Sequence, residues 1–148
     1  MRGFTLAEFL IIVGIMAILV GIGFPVFKNF QPGLRLSGEV RELASDFRLA
    51  EQLAVTEQIN YGIIFSTDTF PHQYQLVKYV QGQDVAEFLS KKELPEGVSF
   101  SQINFTSNQV IFNPYGAVKE RGSIVLINSK NQTTTLEVGP AGFVKIIK

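Results

Sequence analysis

Apolar and polar residues alternate along this chain in three different rhythms. From Phe4 to Phe27 (FTLAEFLIIVGIMAILVGIGFPVF) the apolar character is almost unbroken, and Glu8 is the one charge. No ionisable residue occurs from Phe9 to Phe27. As a helix rising 1.5 Å per residue, that run is about 28 Å long, close to the hydrocarbon thickness of a bilayer. From Leu34 to Gln58 the rhythm becomes helical. Leu36, Val40, Leu43, Phe47, Ala50 and Ala54 recur at steps of four and three and form one apolar stripe. Arg35, Glu39, Arg41, Glu42, Asp46, Arg48, Glu51 and Glu57 cover the other faces. The stripe is too short to demand a coiled coil and reads as a helix packed on its own sheet. Glu39, Glu42, Asp46 and Arg48 read as a solvated face.

After Gln58 the period changes to two. Asn60 to Ser66 and Gln73 to Val80 read as strands separated by a turn holding Asp68 and Pro71. Asp84 to Leu94 fits neither rhythm. Leu94-Pro95-Glu96-Gly97-Val98 is a turn into a strand over Val98 to Ile103. Gln109 to Asn113 is a further strand, closed by Pro114-Tyr115-Gly116. Ser123 to Asn128 and Thr134 to Val138 form a hairpin across Ser129-Lys130-Asn131-Gln132, and Phe143 to Ile147 closes the chain after Gly139-Pro140-Ala141-Gly142. The pattern predicts an α+β fold, with a long N-terminal helix packed on an antiparallel β-sheet head.

Between the two helical rhythms lies a neck at residues 28–33. Gln31-Pro32-Gly33 is a breaker signal, with Pro25 shortly before it. The helix is expected to kink here, or to break and restart. The chain thus divides into residues 1–3, an apolar helix at 4–27, the neck at 28–33, and an amphipathic helix with a β-rich head at 34–148. No internal repeat or low-complexity segment appears.

Composition adds mostly exclusions. In 148 residues there is room for one modest domain beyond the apolar helix. The formal net charge is +0, so bulk electrostatics gives no drive toward nucleic acid. With no cysteine, neither a disulfide framework nor a thiolate metal site is possible. His72 is the only histidine and reads as a loop residue at the surface, not a general base. No Ser nucleophile has a recognisable neighbourhood, and no glycine-rich phosphate loop follows a strand. Asp68, Asp84 and Glu87 lack the dense oxygen spacing of a calcium loop. The chain reads as non-enzymatic, with no cofactor.

The chemistry is at the N-terminus. Only Met1, Arg2 and Gly3 precede the apolar run, which is too short a basic region for a secretory signal peptide. Glu8 sits at the edge of a membrane-length segment, where an acid is costly and calls for a function. Thr5-Leu6-Ala7-Glu8 also fits a capping box, T-x-x-E, in which each side chain satisfies a backbone donor at the helix start.

Arg2-Gly3-Phe4-Thr5-Leu6-Ala7-Glu8 resembles the processing site of type IV prepilins and type II secretion pseudopilins. Counted from Phe4, Glu8 is the fifth residue and Pro25 the twenty-second, in the family's register. The resemblance implies that a prepilin peptidase cuts between Gly3 and Phe4 and that the new Phe4 amine is N-methylated. It implies that Glu8 meets the Phe4 ammonium of a neighbouring subunit, a role that can coexist with capping. Other pilin or pseudopilin subunits, an assembly platform protein and an assembly ATPase are the implied partners. The implied place is the inner membrane, single-pass, with the N-terminus cytoplasmic and the head outside. Family members usually run one helix through the neck, so Pro32-Gly33 is a departure.

The head resembles the GspH/FimT group of minor pseudopilins, through the order LPEGVSF, VIFNPYGAV, SIVLINS, TTLEV and a closing Gly-Phe-Val-Lys. Phe112-Asn113-Pro114-Tyr115-Gly116 reads as a fold marker: a strand ended by Asn-Pro and released by a glycine that tolerates positive φ. Two functional classes follow. One is a structural subunit of the type II secretion pseudopilus. The other is a minor type IV pilin of a DNA-uptake pilus. Some FimT-like relatives bind DNA through a basic C-terminal segment of Gly-Arg-x-Arg type, but here that place reads Gly142-Phe143-Val144-Lys145 and the arginines are missing. Lys119, Arg121, Lys130, Lys145 and Lys148 would have to gather in space to replace them.

Overall fold

The computed structural model describes residues 4–80 and 87–147. One helix, α1, runs from Leu6 to Glu57, 52 residues and about 78 Å. Its last turn closes on Gln58, which takes the left-handed conformation at φ 56° and donates its Nε2 to the Val55 carbonyl at 2.7 Å. The expected kink or restart at the neck does not end the helix: α1 passes through Pro25, Pro32 and Gly33 as one element. An internal proline costs a helix about 3 kcal/mol and a glycine about 1 kcal/mol, so something outside the local sequence offsets them.

Among the described residues eight strands follow: β1 Asn60–Ser66, β2 Gln73–Tyr79, β3 Glu87–Glu93, β4 Val98–Ile103, β5 Gln109–Phe112, β6 Gly122–Asn128, β7 Thr133–Val138 and β8 Val144–Ile147. A short 3-10 turn, Thr106–Asn108, precedes β5. The antiparallel head is split into two four-stranded sheets, ordered β3-β2-β1-β5 and β4-β6-β7-β8. The stretch that fitted neither rhythm contains β3, an edge strand whose side chains are almost all exposed on both faces. Asp84 lies outside the described residues.

The helical stripe is buried where the pattern placed it: Leu36, Val40, Leu43, Phe47, Ala50 and Ala54 all lie in the core. Phe47 meets Phe65 of β1 and Phe112 of β5 with ring centroids 6.2 Å apart in each case. Phe65 in turn meets Phe100 of β4 edge-on at 5.4 Å, so one aromatic chain runs from the helix through the first sheet into the second. Ile124, Leu126, Leu136 and Val138 complete the core from the second sheet.

Gly62 shows why one strand position must lack a side chain. Tyr79 of β2 and Gln109 of β5 reach toward each other across β1 and join through Tyr79 Oη donating to Gln109 Oε1 at 2.8 Å. A Cβ on Gly62 would lie 3.1 Å from the Tyr79 ring and closer still to the Val110 carbonyl.

Candidate functional site

The first described turns of α1 form a reciprocal capping box. Thr5 is extended at φ −83°, ψ 151°, and its Oγ1 accepts from the Glu8 backbone N–H at 3.3 Å. Glu8 Oε2 accepts from the Thr5 backbone N–H and from Thr5 Oγ1, both at 2.9 Å. The carboxylate is thereby fixed at the very tip of the helix, beside Phe4, which is 78% exposed. Gly3 lies outside the described residues. Pro25 is part of α1 about 26 Å further along the axis, 17 residues from Glu8.

Between these points the helix is a bare apolar rod. Leu6–Phe24 is long and apolar enough to cross a membrane, and none of it is buried within the chain. Apolar side chains face every direction, from Ile11 at 62% exposed to Phe24 at 60%. Lys28 folds back so that its Nζ lies 4.9 Å from the Phe24 ring centroid, at the end of the run where an ammonium can reach polar surroundings. A surface of this kind needs lipid or other helices around it. The one charged side chain the rod carries is the Glu8 carboxylate at its tip, a group able to hold a cation.

On the head, three expectations change. His72 lies in a loop, directly before β2, as expected, but it is half-buried and not at the surface: its Nδ1 accepts from the Phe100 backbone N–H at 3.0 Å and its ring stacks on Phe100 at 5.9 Å. It bolts the start of β2 to β4 across the two sheets. Glu39 and Asp46 do not belong to a solvated face. Glu39 is buried, and Lys92 of β3 donates to Asp46 at 2.8 Å and to Glu42 at 2.9 Å. Tyr74 Oη donates to Asp46 Oδ2 at 2.8 Å. Burial, and then the charge of Glu42, push the Glu39 carboxyl up to about 7 despite Lys92 nearby. Burial and the bond to Asp46 push the Tyr74 phenol well above its usual range. Arg48 is exposed, as expected of a solvated face. The Lys92 bonds to Asp46 and Glu42 were not visible without knowing that Lys92 stands opposite.

The fold marker holds its expected shape. Asn113 Oδ1 accepts from the backbone N–H of Tyr115 at 2.9 Å and of Ala117 at 3.1 Å, and Gly116 has φ 80°. Not all of the basic residues gather: Lys119 lies two residues from Arg121, and Lys145 on β8 lies two strands across from Ser123, near Arg121, but Lys130 stands apart. Arg121 precedes β6 and Lys130 follows it, so a seven-residue strand of about 23 Å separates them. Lys145 pairs in register with the acid Glu137, and Lys148 lies outside the described residues.

The family model described as type II transport protein GspH matches residues 39–142. The minor pseudopilin EpsH from the type 2 secretion system of Vibrio cholerae superposes with a TM-score of 0.63 at 10% identity, covering 76% of this chain and 96% of that one. The type IV minor pilin FimU of Pseudomonas aeruginosa superposes with a TM-score of 0.64 at 13% identity, covering 80% of this chain and 92% of that one. At such identities the likeness speaks for the fold. No curated protein matches the chain.

Proposed function

Because the chain belongs to the GspH family of pilin-like minor pseudopilins and minor pilins, we propose that it is a structural subunit of the type II secretion pseudopilus. The observation that carries this reading is the bare apolar rod, held by a folded family head and tipped by Thr5 and Glu8.

The mechanism is mechanical. Residues 4–27 wait in the inner membrane, with the N-terminus cytoplasmic and the head outside. A prepilin peptidase cuts between Gly3 and Phe4, and the Phe4 amine is methylated. An assembly platform and its ATPase draw the rod out of lipid into a core made of other subunits' rods. Lipid contact is exchanged for helix packing, so the net drive is small and register must come from elsewhere. Glu8 supplies it by pairing with the Phe4 ammonium of a neighbour, since neither charge is tolerable alone in a dry core. Pro25 marks the rod's outer end, the neck at residues 28–33 joins rod to head, and residues 34–148 form the part that stays in water.

Two measurements test this. Co-expression with a prepilin peptidase, followed by mass spectrometry, is expected to show loss of Met1 to Gly3 and a methylated Phe4. Removal of the gene from its own host is expected to stop type II cargo secretion. If piliation or DNA uptake fails instead while secretion continues, the subunit belongs to a type IV pilus. For that second reading Lys130 is too far from Arg121, by the length of β6, to join a basic patch with it.

A further inference from the structure

The helix crosses Pro32-Gly33 unbroken, and the head meets it there with two loops. Pro32 has no N–H, so the Lys28 carbonyl loses its helical donor. One residue on, Lys130 at the tip of the β6–β7 hairpin donates its Nζ to the Asn29 backbone carbonyl at 2.8 Å and to Asn29 Oδ1 at 3.2 Å. Gln132 Oε1, in the same tip, lies 3.4 Å from where a Cβ on Gly33 would stand. The second loop joins β3 to β4, and its Glu96 carbonyl accepts from Arg35 Nη1 at 2.9 Å. The two loops are tied together, because the Ser129 N–H donates to the Gly97 carbonyl at 2.9 Å.

The tip is shaped from inside. Asn128 is 4% exposed, a buried polar side chain whose bonds all stay within the hairpin. Its Oδ1 accepts from the backbone N–H of Lys130 at 2.9 Å and of Gln132 at 3.0 Å, and its Nδ2 donates to Gln132 Oε1 at 2.8 Å. Lys130 and Gln132 are therefore aimed, not merely long enough to reach.

We propose that these loops are a collar, with Lys130 as its positioning residue, that keeps the helix continuous across Pro32-Gly33 and so fixes the direction in which the apolar rod leaves the head. Without the collar the neck bends, and the rod and head lose their fixed relation.

The chain has no cysteine, so spin labels can be placed at will. Phe27→Cys with Ser45→Cys brackets the neck and leaves Gly21, Gly23 and Pro25 outside the measured span. Eighteen residues of continuous helix put the labelled backbone positions about 27 Å apart. In the full-length chain in detergent micelles, pulsed dipolar spectroscopy is expected to give one narrow distance distribution. Lys130→Ala is expected to broaden it toward shorter distances, and Lys130→Arg, which keeps a donor, to leave it narrow. Adding Pro32→Ala and Gly33→Ala to Lys130→Ala is expected to restore the narrow distribution, because the helix then needs no support. A broad distribution in the parent, an unchanged one in Lys130→Ala, or broadening that survives the Pro32 and Gly33 replacements would each overturn the collar.

Discussion

Residues 6–34 and residues 36–57 share one helix but not one environment. In the first stretch every large apolar side chain described is exposed, Phe30 at 67% and Leu34 at 66% among them. In the second, Leu36 begins a stripe that vanishes beneath two sheets. Both stretches are rich in apolar residues, and the difference lies in how these are arranged. Apolar residues on one stripe build a core inside the chain, with charges left over for water. Apolar residues on all faces find no such core and require surroundings that the chain does not supply.

Replacing matched residues in the two stretches breaks the comparison most directly. Phe47→Ala removes a buried ring that touches both Phe65 and Phe112. It is expected to cost about 3–5 kcal/mol of head stability. Phe24→Ala, in the rod, is expected to change head stability by less than about 0.5 kcal/mol. Denaturant melts of the two variants in micelles, followed by far-ultraviolet dichroism, check both. Equal losses would mean that rod and head fold as one unit.

Glycines sharpen the contrast at the next level. Gly142 has φ 82°, and a Cβ there would press on the Gly116 carbonyl and stand 3.0 Å from Glu51 Oε1. Gly142→Ala is expected to destabilise the head by about 1–3 kcal/mol. Gly14 in the rod has nothing within 4 Å of a would-be Cβ. Gly14→Ala is expected to favour the helix by up to about 1 kcal/mol, read as added helicity without a lower head melting point.

Glu39 separates the stretches by pH. Its carboxyl is raised from 4.5 to about 7 in the folded head, so the folded state binds a proton more tightly than the unfolded chain. This contribution is fully present below pH 4.5 and is lost as pH rises through about 7. Allowing for solvent screening, the loss amounts to about 1–2 kcal/mol. Glu39→Gln is expected to remove that slope between pH 5 and 8 and to leave the head more stable at pH 8. A stability curve with the same slope in parent and variant would exclude burial as the cause.

Legibility in the sequence follows from the same contrast. The stripe from Leu36 to Ala54 and strands such as Asn60–Ser66 could be read because burial imposes a period on residues close in sequence. β3 could not, since an edge strand exposed on both faces has no alternation to impose. That omission carried over to the cluster around Glu39. Asp46 looks solvated until Lys92, 46 residues away, is placed opposite it. His72 likewise shows no local sign that its partner is the Phe100 amide. At the neck, Pro32 and Gly33 announce their local cost, whereas the Lys130 contact that bears on it lies 101 residues along the chain. In the rod, the Thr5–Glu8 box was legible as a capping pattern, because its partners are three residues apart.

That same box carries the prediction with the smallest effect on the head, and it tests the rod. Glu8 has two possible duties, capping its own helix and pairing with a neighbour's Phe4 amine. Glu8→Ala removes both and cannot tell them apart. Glu8→Gln can, because glutamine serves in a capping box as glutamate does and its amide oxygen can take the bonds that Oε2 now receives from Thr5. The charge alone is lost. Neither variant is expected to shift the head's melting midpoint, since among the described residues the Glu8 side chain is hydrogen-bonded only to Thr5 at the start of α1. In filament assembly both are expected to fail alike, because an uncompensated Phe4 ammonium in an apolar core is the penalty in each case. If Glu8→Gln enters filaments as readily as the parent while Glu8→Ala does not, capping accounts for the acid, and register along the filament must be set by the packing of the rods.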